Sequence, residues 1–138
     1  MKEPLWVEVP DALILHERLI AEFGGAGGMR DRALLQSALA RAKQIFAYAE
    51  SPDLHEMAAA YISGIVRNHP FVDGNKRTGF LAGALFLEMN GLPFTADEEA
   101  AARAVIDLAT GDLDDSGLAA FLRAHGPAAP SVSPPRLP

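Results

Sequence analysis

Glycine and proline divide this chain into segments of helix length, and that spacing constrains the fold more than any other feature. Such breaks fall at 24–28, 52, 70–74, 91 and 111. Between them, apolar residues recur three and four positions apart, as they do on one face of a helix. With 138 residues, 49% of them hydrophobic, the chain can bury a single core. The sequence therefore predicts an all-α bundle of about six helices.

Capping residues predict where several of these helices begin. Pro10 suits a first helical position, while Asp31 and Asp53 suit the N-caps of the second and third helices. Thr95 and Glu98 match a capping box that would open the fifth helix. The third segment has the widest apolar side, so we expect it to be the central helix of the bundle.

Small residues in the fourth segment predict an unusually close helix contact. Gly79 and Gly83 lie within an otherwise apolar helical pattern, beside Ala82 and Ala84. Glycine inside a helix costs about 1 kcal/mol relative to alanine, so packing against a neighbour is expected to compensate.

Three segments depart from the helical pattern. Leu5 to Val9 alternates weakly and predicts a short edge strand. Gln44 to Ser51 contains residues that favour strands, which predicts an exposed hairpin-like β flap or an irregular continuation. Residues 127–138 include five prolines and few groups to bury, so we expect a disordered tail after a folded domain at 1–126.

Composition narrows the cellular setting and the partners. Cysteine is absent, which excludes disulfides and thiolate metal sites. The formal net charge of −6 gives no overall field that would attract nucleic acid. The start of the chain has no secretory pattern, and its apolar runs are too short to span a membrane. We therefore expect a cytoplasmic protein without direct contact to nucleic acid or membrane.

The ten residues at 69–78, HPFVDGNKRT, carry the groups that phosphoryl chemistry on a nucleotide needs. Gly74 and Asn75 directly precede a predicted helix, where free N–H groups attract anions. Lys76 and Arg77 add two positive side chains, one compact and one forked. A capped helix start with solvated cations would explain Asn75 and Lys76 individually, but not the density of the whole set.

The same loop supplies a candidate base and a candidate metal ligand. His69 can remove a proton near neutral pH, so it is the candidate general base for a hydroxyl that attacks phosphorus. Asp73 would repel phosphate unless Mg²⁺ lies between them, and Mg²⁺ commonly takes a single carboxylate. Taken alone, Asp73 could be a turn residue and His69 an ordinary helix end. Phe71 is expected to point inward and anchor the loop.

Other candidate motifs are weaker. The glycines at 24–28 are not followed by Lys-Ser or Lys-Thr, so a plain linker between helices is favoured over a phosphate loop. His16, His55 and His125 lie in different segments without the spacing of metal ligands. The sequence gives no reason to expect a zinc site.

The run HPFVDGNKRT resembles the signature loop of the Fic-domain superfamily, HPFx(D/E)GN(G/K)R. It is most similar to the Doc (death-on-curing) branch, the toxins of Phd–Doc type toxin–antitoxin modules. The likeness extends from about Leu13 to His125. It includes the segment from Phe23 to Asp31 and the run from Leu85 to Gly91.

The resemblance implies an all-helical Fic fold with the signature loop between its two central helices. It implies that ATP and Mg²⁺ bind there, with His69 as the base and Asp73 on the metal side. The anion hole would comprise Gly74, Asn75, Lys76 and Arg77. Arg67 matches a phosphate-contacting arginine of Doc-like members. The segment from Gln44 to Ser51 would be the flap that docks the target.

Two departures from the adenylyltransferase pattern bear on the reaction. Lys76 replaces a glycine and Phe80 replaces a second arginine. The resemblance therefore implies the Doc reaction, in which the γ-phosphate is transferred to a threonine of elongation factor Tu and translation stops.

Inhibition of such a toxin would come from a Phd-like antitoxin, because no inhibitory (S/T)xxxE(G/N) helix is recognisable in the chain. The alternatives are a Fic adenylyltransferase, a nucleotide-binding module without turnover and, less favoured, a metal-dependent phosphohydrolase.

Overall fold

The computed structural model describes residues 1–126, which form six α-helices. They are α1 Val9–Phe23, α2 Arg32–Tyr48, α3 Leu54–Asn68, α4 Asn75–Met89, α5 Glu98–Thr110 and α6 Asp115–Ala124. The all-α prediction is confirmed. The predicted tail at 127–138 lies outside the described residues. None of the six helices is long and apolar enough to cross a membrane.

Helix α3 occupies the centre, as its wide apolar side predicts. Ten consecutive residues, Met57 to Val66, are buried, so this helix has no solvent-facing side over nearly three turns. It packs against α2, α4, α5 and α6, while α1 contacts α2 and α4. An element enclosed on all sides is a rigid support for whatever follows it in the chain.

Close approach of α3 and α4 depends on glycine, as predicted. A Cβ on Gly83 would lie 2.9 Å from the carbonyl oxygen of Ala58, and one on Gly79 would lie 3.1 Å from that of Ile62. Both oxygens belong to the backbone of α3, which cannot move away cheaply. The two helices that flank the loop at 69–74 are therefore fixed relative to each other.

Most predicted boundaries are confirmed, including the N-caps Asp31 and Asp53. The capping box predicted for α5 is wrong. Asp97 caps that helix by accepting from the N–H of Ala100, whereas the Thr95 hydroxyl donates to the carbonyl of His125. Thr95 is thus used to fasten the α4–α5 connection to the end of α6.

The two predicted β segments are also wrong. The stretch from Leu5 to Val9 pairs with side chains rather than a strand: Asn90 bonds the backbone of Leu5, and the Tyr61 hydroxyl accepts from the N–H of Val7. Within 1–126 the only β pairing is an isolated bridge between Met29 and Phe71.

The predicted flap at 44–51 is instead mostly the end of α2, which continues to Tyr48. Ile45 and Phe46 are partly buried against the core, and the Phe46 ring meets that of Trp6 edge-on at 5.8 Å. Packing of these two side chains on the helix outweighs their weak preference for strand.

Candidate active site

The loop at 69–74 leaves the central helix through a strained residue. His69 follows α3 with φ 50° and ψ 56°, the left-handed conformation, and it is the only non-glycine residue with positive φ in 1–126. Pro70 comes next and cannot continue the helix. Left-handed backbone at a non-glycine residue persists only where its surroundings hold it, and it is common at functional sites.

Arg30 supplies part of that support. Its Nε donates to the carbonyl of His69 at 2.7 Å, and its Nη2 donates to the carbonyl of Asn68 at 2.8 Å. Both carbonyls belong to the unsatisfied C-terminal end of α3, which favours a positive charge. Arg30 therefore holds the backbone of His69 from outside the loop, a role that the sequence reasoning missed.

The glycine-containing segment at 24–31 lies alongside the loop. The N–H of Val72 donates to the carbonyl of Gly28, and the N–H groups of Arg30 and Asp31 both donate to the carbonyl of Pro70. This segment does link α1 and α2, as predicted, but it also braces the loop. The pairing joins residues about 40 positions apart, so no local pattern could have indicated it.

Asn75 fixes the inside of the loop. Its Oδ1 accepts from the N–H of Phe71 at 3.0 Å, and its Nδ2 donates to the carbonyl of Phe71 at 2.9 Å. The side chain is buried, and Nδ2 also lies 3.2 Å from Nδ1 of His69. Since Phe71 fixes which way the amide points, an N–H group faces Nδ1. In the neutral ring this leaves the proton on Nε2.

The rings of Phe71 and His16 support the loop from the protein interior. Phe71 is buried, and its ring stacks on that of His16 at a centroid distance of 3.9 Å with 9° between the planes. His16 is 6% exposed, and its Nε2 lies 2.8 Å from the carbonyl oxygen of Asp73. Because a carbonyl only accepts, Nε2 carries a proton and donates. The position of His16 in the sequence did not indicate its contact with Asp73.

Asp73 presents its carboxylate next to the start of α4. Oδ1 accepts from the N–H of Gly74 at 2.9 Å, and Oδ2 accepts from the N–H of Ala26 at 3.3 Å. Among residues 1–126 no group of three or more acidic, histidine or cysteine side chains surrounds a common point. A lone carboxylate fits a cation of the Mg²⁺ type when phosphates and waters supply the other ligands.

The N-terminus of α4 is open to an anion. Gly74 is its N-cap in the left-handed conformation, with φ 80°, and no side chain caps the helix. The first N–H groups of a helix have no partner inside it and carry partial positive charge. The start of α4 borders an open pocket of about 220 Å³, lined by His69, Val72, Asp73, Gly74, Asn75, Lys76 and Arg77.

The pocket brings most of the predicted site residues together. In a comparison with known protein families, the Fic/DOC family model matches residues 6–87. The chain belongs to the Fic/DOC family. It is 36% identical over 115 residues to the protein kinase doc of Escherichia phage P1, covering 83% of this chain and 90% of that protein. It is 38% identical over 110 residues to the toxin Doc of Mycolicibacterium smegmatis, covering 78% and 85%.

In this Fic/DOC protein the side chains of Lys76 and Arg77 differ in how far their contacts restrict their movement. The Arg77 guanidinium lies 4.1 Å from the ring centre of Phe23, a cation–π contact with a half-exposed ring at the end of α1. Lys76 is exposed and has no ion pair among the described residues. The lysine can therefore move toward a ligand, whereas the arginine is oriented beforehand.

Arg67 and Phe80 lie outside the lining of the pocket. The Arg67 guanidinium donates to Ser63 and pairs with Asp115 at 2.9 Å, at the start of α6. Asp115 also pairs with Arg41 at 3.0 Å, so one carboxylate joins α2, α3 and α6. Phe80 packs edge-on against Phe94 at 5.2 Å. A phosphate contact by Arg67 stays a prediction; in this structure Nη1 of its guanidinium is bonded to Ser63 and Asp115.

Proposed function

We propose that this protein is a Doc-type toxin kinase, which transfers the γ-phosphate of ATP to a serine or threonine hydroxyl of a translation factor. Elongation factor Tu is the proposed target, and arrest of translation is the proposed result. The names of the two relatives, a protein kinase and a toxin, support this assignment. A cytoplasmic location follows from the proposed target.

The observation that carries the proposal is the position of Lys76. It is the second residue of α4, at an uncapped helix end, in the same pocket as His69 and Asp73. By its resemblance to Doc-type proteins, a lysine here takes the space that the glycine of adenylyltransferases leaves for an α-phosphate. The nucleotide then binds in the opposite direction to that in adenylyltransferases, with its γ-phosphate toward the target hydroxyl, and the lysine charge suits that terminal phosphate. The positive end of α4 and Arg77 would stabilise the charge on the transferred group.

The reaction replaces one P–O bond by another. The target hydroxyl oxygen bonds to the γ-phosphorus, the bond from that phosphorus to the bridging oxygen breaks, and ADP leaves. The hydroxyl proton passes to His69. Asp73 would hold Mg²⁺, which supplies positive charge to the phosphate oxygens when bound.

His69 needs a free lone pair on the nitrogen that meets the hydroxyl. With Nδ1 facing an N–H of Asn75, the neutral ring has its proton on Nε2. Base catalysis at Nε2 therefore requires the other tautomer, and the 3.2 Å contact to Asn75 must lengthen when substrate binds. Contacts of catalytic groups commonly rearrange between free enzyme and substrate complex.

Labelled ATP tests the reaction directly. Elongation factor Tu is incubated with the protein and either γ-labelled or α-labelled ATP. We expect protein-bound label only from the γ position, and none with His69→Ala. Protein-bound label from the α position alone would show that the protein is an adenylyltransferase and not a kinase. Absence of transfer from either nucleotide, with nucleotide still bound, would indicate a module without turnover.

Lys76→Ala provides the matched test of the residue on which the proposal rests. Lys43→Ala is the control, because Lys43 pairs with Glu8 at 3.2 Å, away from the pocket. We expect the Lys76 variant to lose most γ-transfer and the Lys43 variant to retain it. Equal activity of the two variants would contradict the role of Lys76.

An inhibitory partner is part of the proposal. We propose that a Phd-like antitoxin binds this protein and blocks the transfer. Expression of the chain alone should arrest growth of the host cell. Co-expression of the antitoxin, expected from a small open reading frame beside its gene, should restore growth. Growth arrest that persists with His69→Ala would separate toxicity from catalysis.

A further inference from the structure

Asp73 is held by groups that lie outside the HPFVDGNKRT loop. The N–H of Ala26 donates to its Oδ2 at 3.3 Å, and Nε2 of His16 donates to its backbone carbonyl at 2.8 Å. Inside the loop, the N–H of Gly74 donates to Oδ1 at 2.9 Å. The carboxylate and the backbone of one residue are thus fixed by α1 and by the turn that follows it.

A side chain in this turn would have to displace the Asp73 carboxylate. A Cβ on Gly25 would lie 2.6 Å from Oδ2 and 3.3 Å from Cγ of Asp73. Gly25 also has φ +112°, which L residues rarely adopt. Closeness to the carboxylate and the backbone conformation are therefore two separate reasons for glycine here.

We propose that the turn formed by Gly25 and Ala26 is a positioning element for the Asp73 carboxylate. It sets the direction in which that carboxylate faces the pocket. The inference rests on the proposed function, which gives Asp73 its role beside the metal. Gly25 and Ala26 touch no substrate in this scheme and act only through Asp73.

Electrostatics favour this arrangement over mere packing. Each carboxylate oxygen has two lone pairs, and one N–H group on each leaves the other pair available. Hydrogen bonds to a charged acceptor are roughly twice as strong as neutral ones. The bond from Gly74 at 2.9 Å is of that kind, and the longer contact from Ala26 at 3.3 Å adds a weaker preference for the same orientation. Groups that orient a metal ligand typically change metal affinity by about 10–100-fold when they are lost.

Glycine variants separate positioning from backbone strain. Gly25→Ala places its Cβ against the carboxylate, whereas Gly24→Ala also has a strained backbone, with φ +85°, and meets no atom within 4 Å. Gly27→Ala meets no atom within 4 Å, and its φ lies outside the strained range. Gly24→Ala is therefore the control for strain and Gly27→Ala the control for substitution itself.

The measurement is the affinity for a fluorescent ATP analogue, with MgCl₂ and with EDTA. We expect Gly25→Ala to weaken binding in MgCl₂ by about 10-fold or more and to leave binding in EDTA nearly unchanged. Gly24→Ala and Gly27→Ala should keep the wild-type ratio between the two conditions. The same ratio in all three variants would overturn the proposal.

A second measurement needs no nucleotide and no change in the glycine turn. Asp73→Asn removes the charge from an exposed side chain, so the fold should persist. We expect the amide proton resonances of Ala26 and Gly74 to move upfield in this variant, because both N–H groups lose a charged acceptor. If the Ala26 resonance does not move, the proposal is wrong, even where Gly25→Ala fails to fold.

These results also distinguish the inference from the function on which it rests. A magnesium-selective loss of binding in Gly25→Ala, without phosphotransfer by the wild type to any tested protein, would uphold the positioning role and refute the kinase. Phosphotransfer by the wild type, together with an unchanged magnesium response in Gly25→Ala, would support the kinase and refute the positioning role.

Discussion

Replacement of Asn75 by alanine tests whether one buried amide holds the loop at 69–74 in shape. The wild-type side chain bonds both backbone groups of Phe71 and lies 3.2 Å from Nδ1 of His69. Phe71 is 1% exposed, so water does not reach its backbone easily. Alanine would leave one N–H and one carbonyl group without a partner at a buried residue.

The expected cost follows from those two groups. A buried polar group that loses its partner costs about 1–3 kcal/mol. Because the loop adjoins an open pocket, water relieves part of the loss, and we expect a decrease of about 2–4 kcal/mol in the free energy of unfolding. The His69 ring also loses its neighbour, and a displacement of about 1 Å would reduce phosphotransfer on the order of 100-fold.

Urea denaturation and γ-phosphate transfer provide the two measurements. Asn68→Ala is the matched control, because Asn68 is half-buried and its amide donates to the carbonyl of Leu34 alone, at 3.2 Å. We expect about 1 kcal/mol for that single hydrogen bond. If Asn75→Ala costs no more than Asn68→Ala and retains full activity, the amide does not hold the loop.

Three further predictions concern packing, pH and charge. Gly64→Ala should lower the free energy of unfolding by about 1–2 kcal/mol, since overpacking exceeds the gain in helix propensity: the new Cβ would lie 2.9 Å from the Cβ and 3.0 Å from the Cα of Ala38. Burial lowers the pKa of His55; the Asp53 carboxylate raises it by less, and the Arg123 guanidinium lowers it further. The unfolded chain then binds more protons below about pH 6.5, so stability should fall as the pH drops through that value, and less so in His55→Gln. Arg77→Ala should weaken nucleotide binding more than Arg67→Ala, because only Arg77 lines the pocket.

Each of these has a contradicting outcome. Urea midpoints for Gly64→Ala at or above the wild type would show that α2 and α3 can separate without cost. An identical loss of stability between about pH 7.5 and about pH 5.5 in wild type and His55→Gln would exclude His55 from the pH response. A larger loss of ATP-analogue binding in Arg67→Ala than in Arg77→Ala would show that Arg67, although outside the pocket lining, contributes more to nucleotide binding than Arg77 does.

Local sequence signals predicted the helices where they act within a few residues. Asp31 and Asp53 are caps because their carboxylates reach N–H groups two or three positions ahead. The same kind of signal failed at Thr95, whose hydroxyl has a partner 30 positions away. It failed again at Ile45 and Phe46, where burial against the core decides between helix and strand.

By itself the sequence determined the helical composition of the fold, its central helix and the set of groups in the HPFVDGNKRT loop. These follow from periodicity, capping and residue type, which are properties of neighbouring positions. Tertiary structure alone decided that Arg30 holds His69, that His16 and the turn at Gly25 hold Asp73, and that Arg67 pairs with Asp115. The physical reason is that these contacts join residues about 40–57 positions apart in the sequence. Only the packing of α1 and α6 against helices α3 and α4 brings these residues within hydrogen-bonding distance.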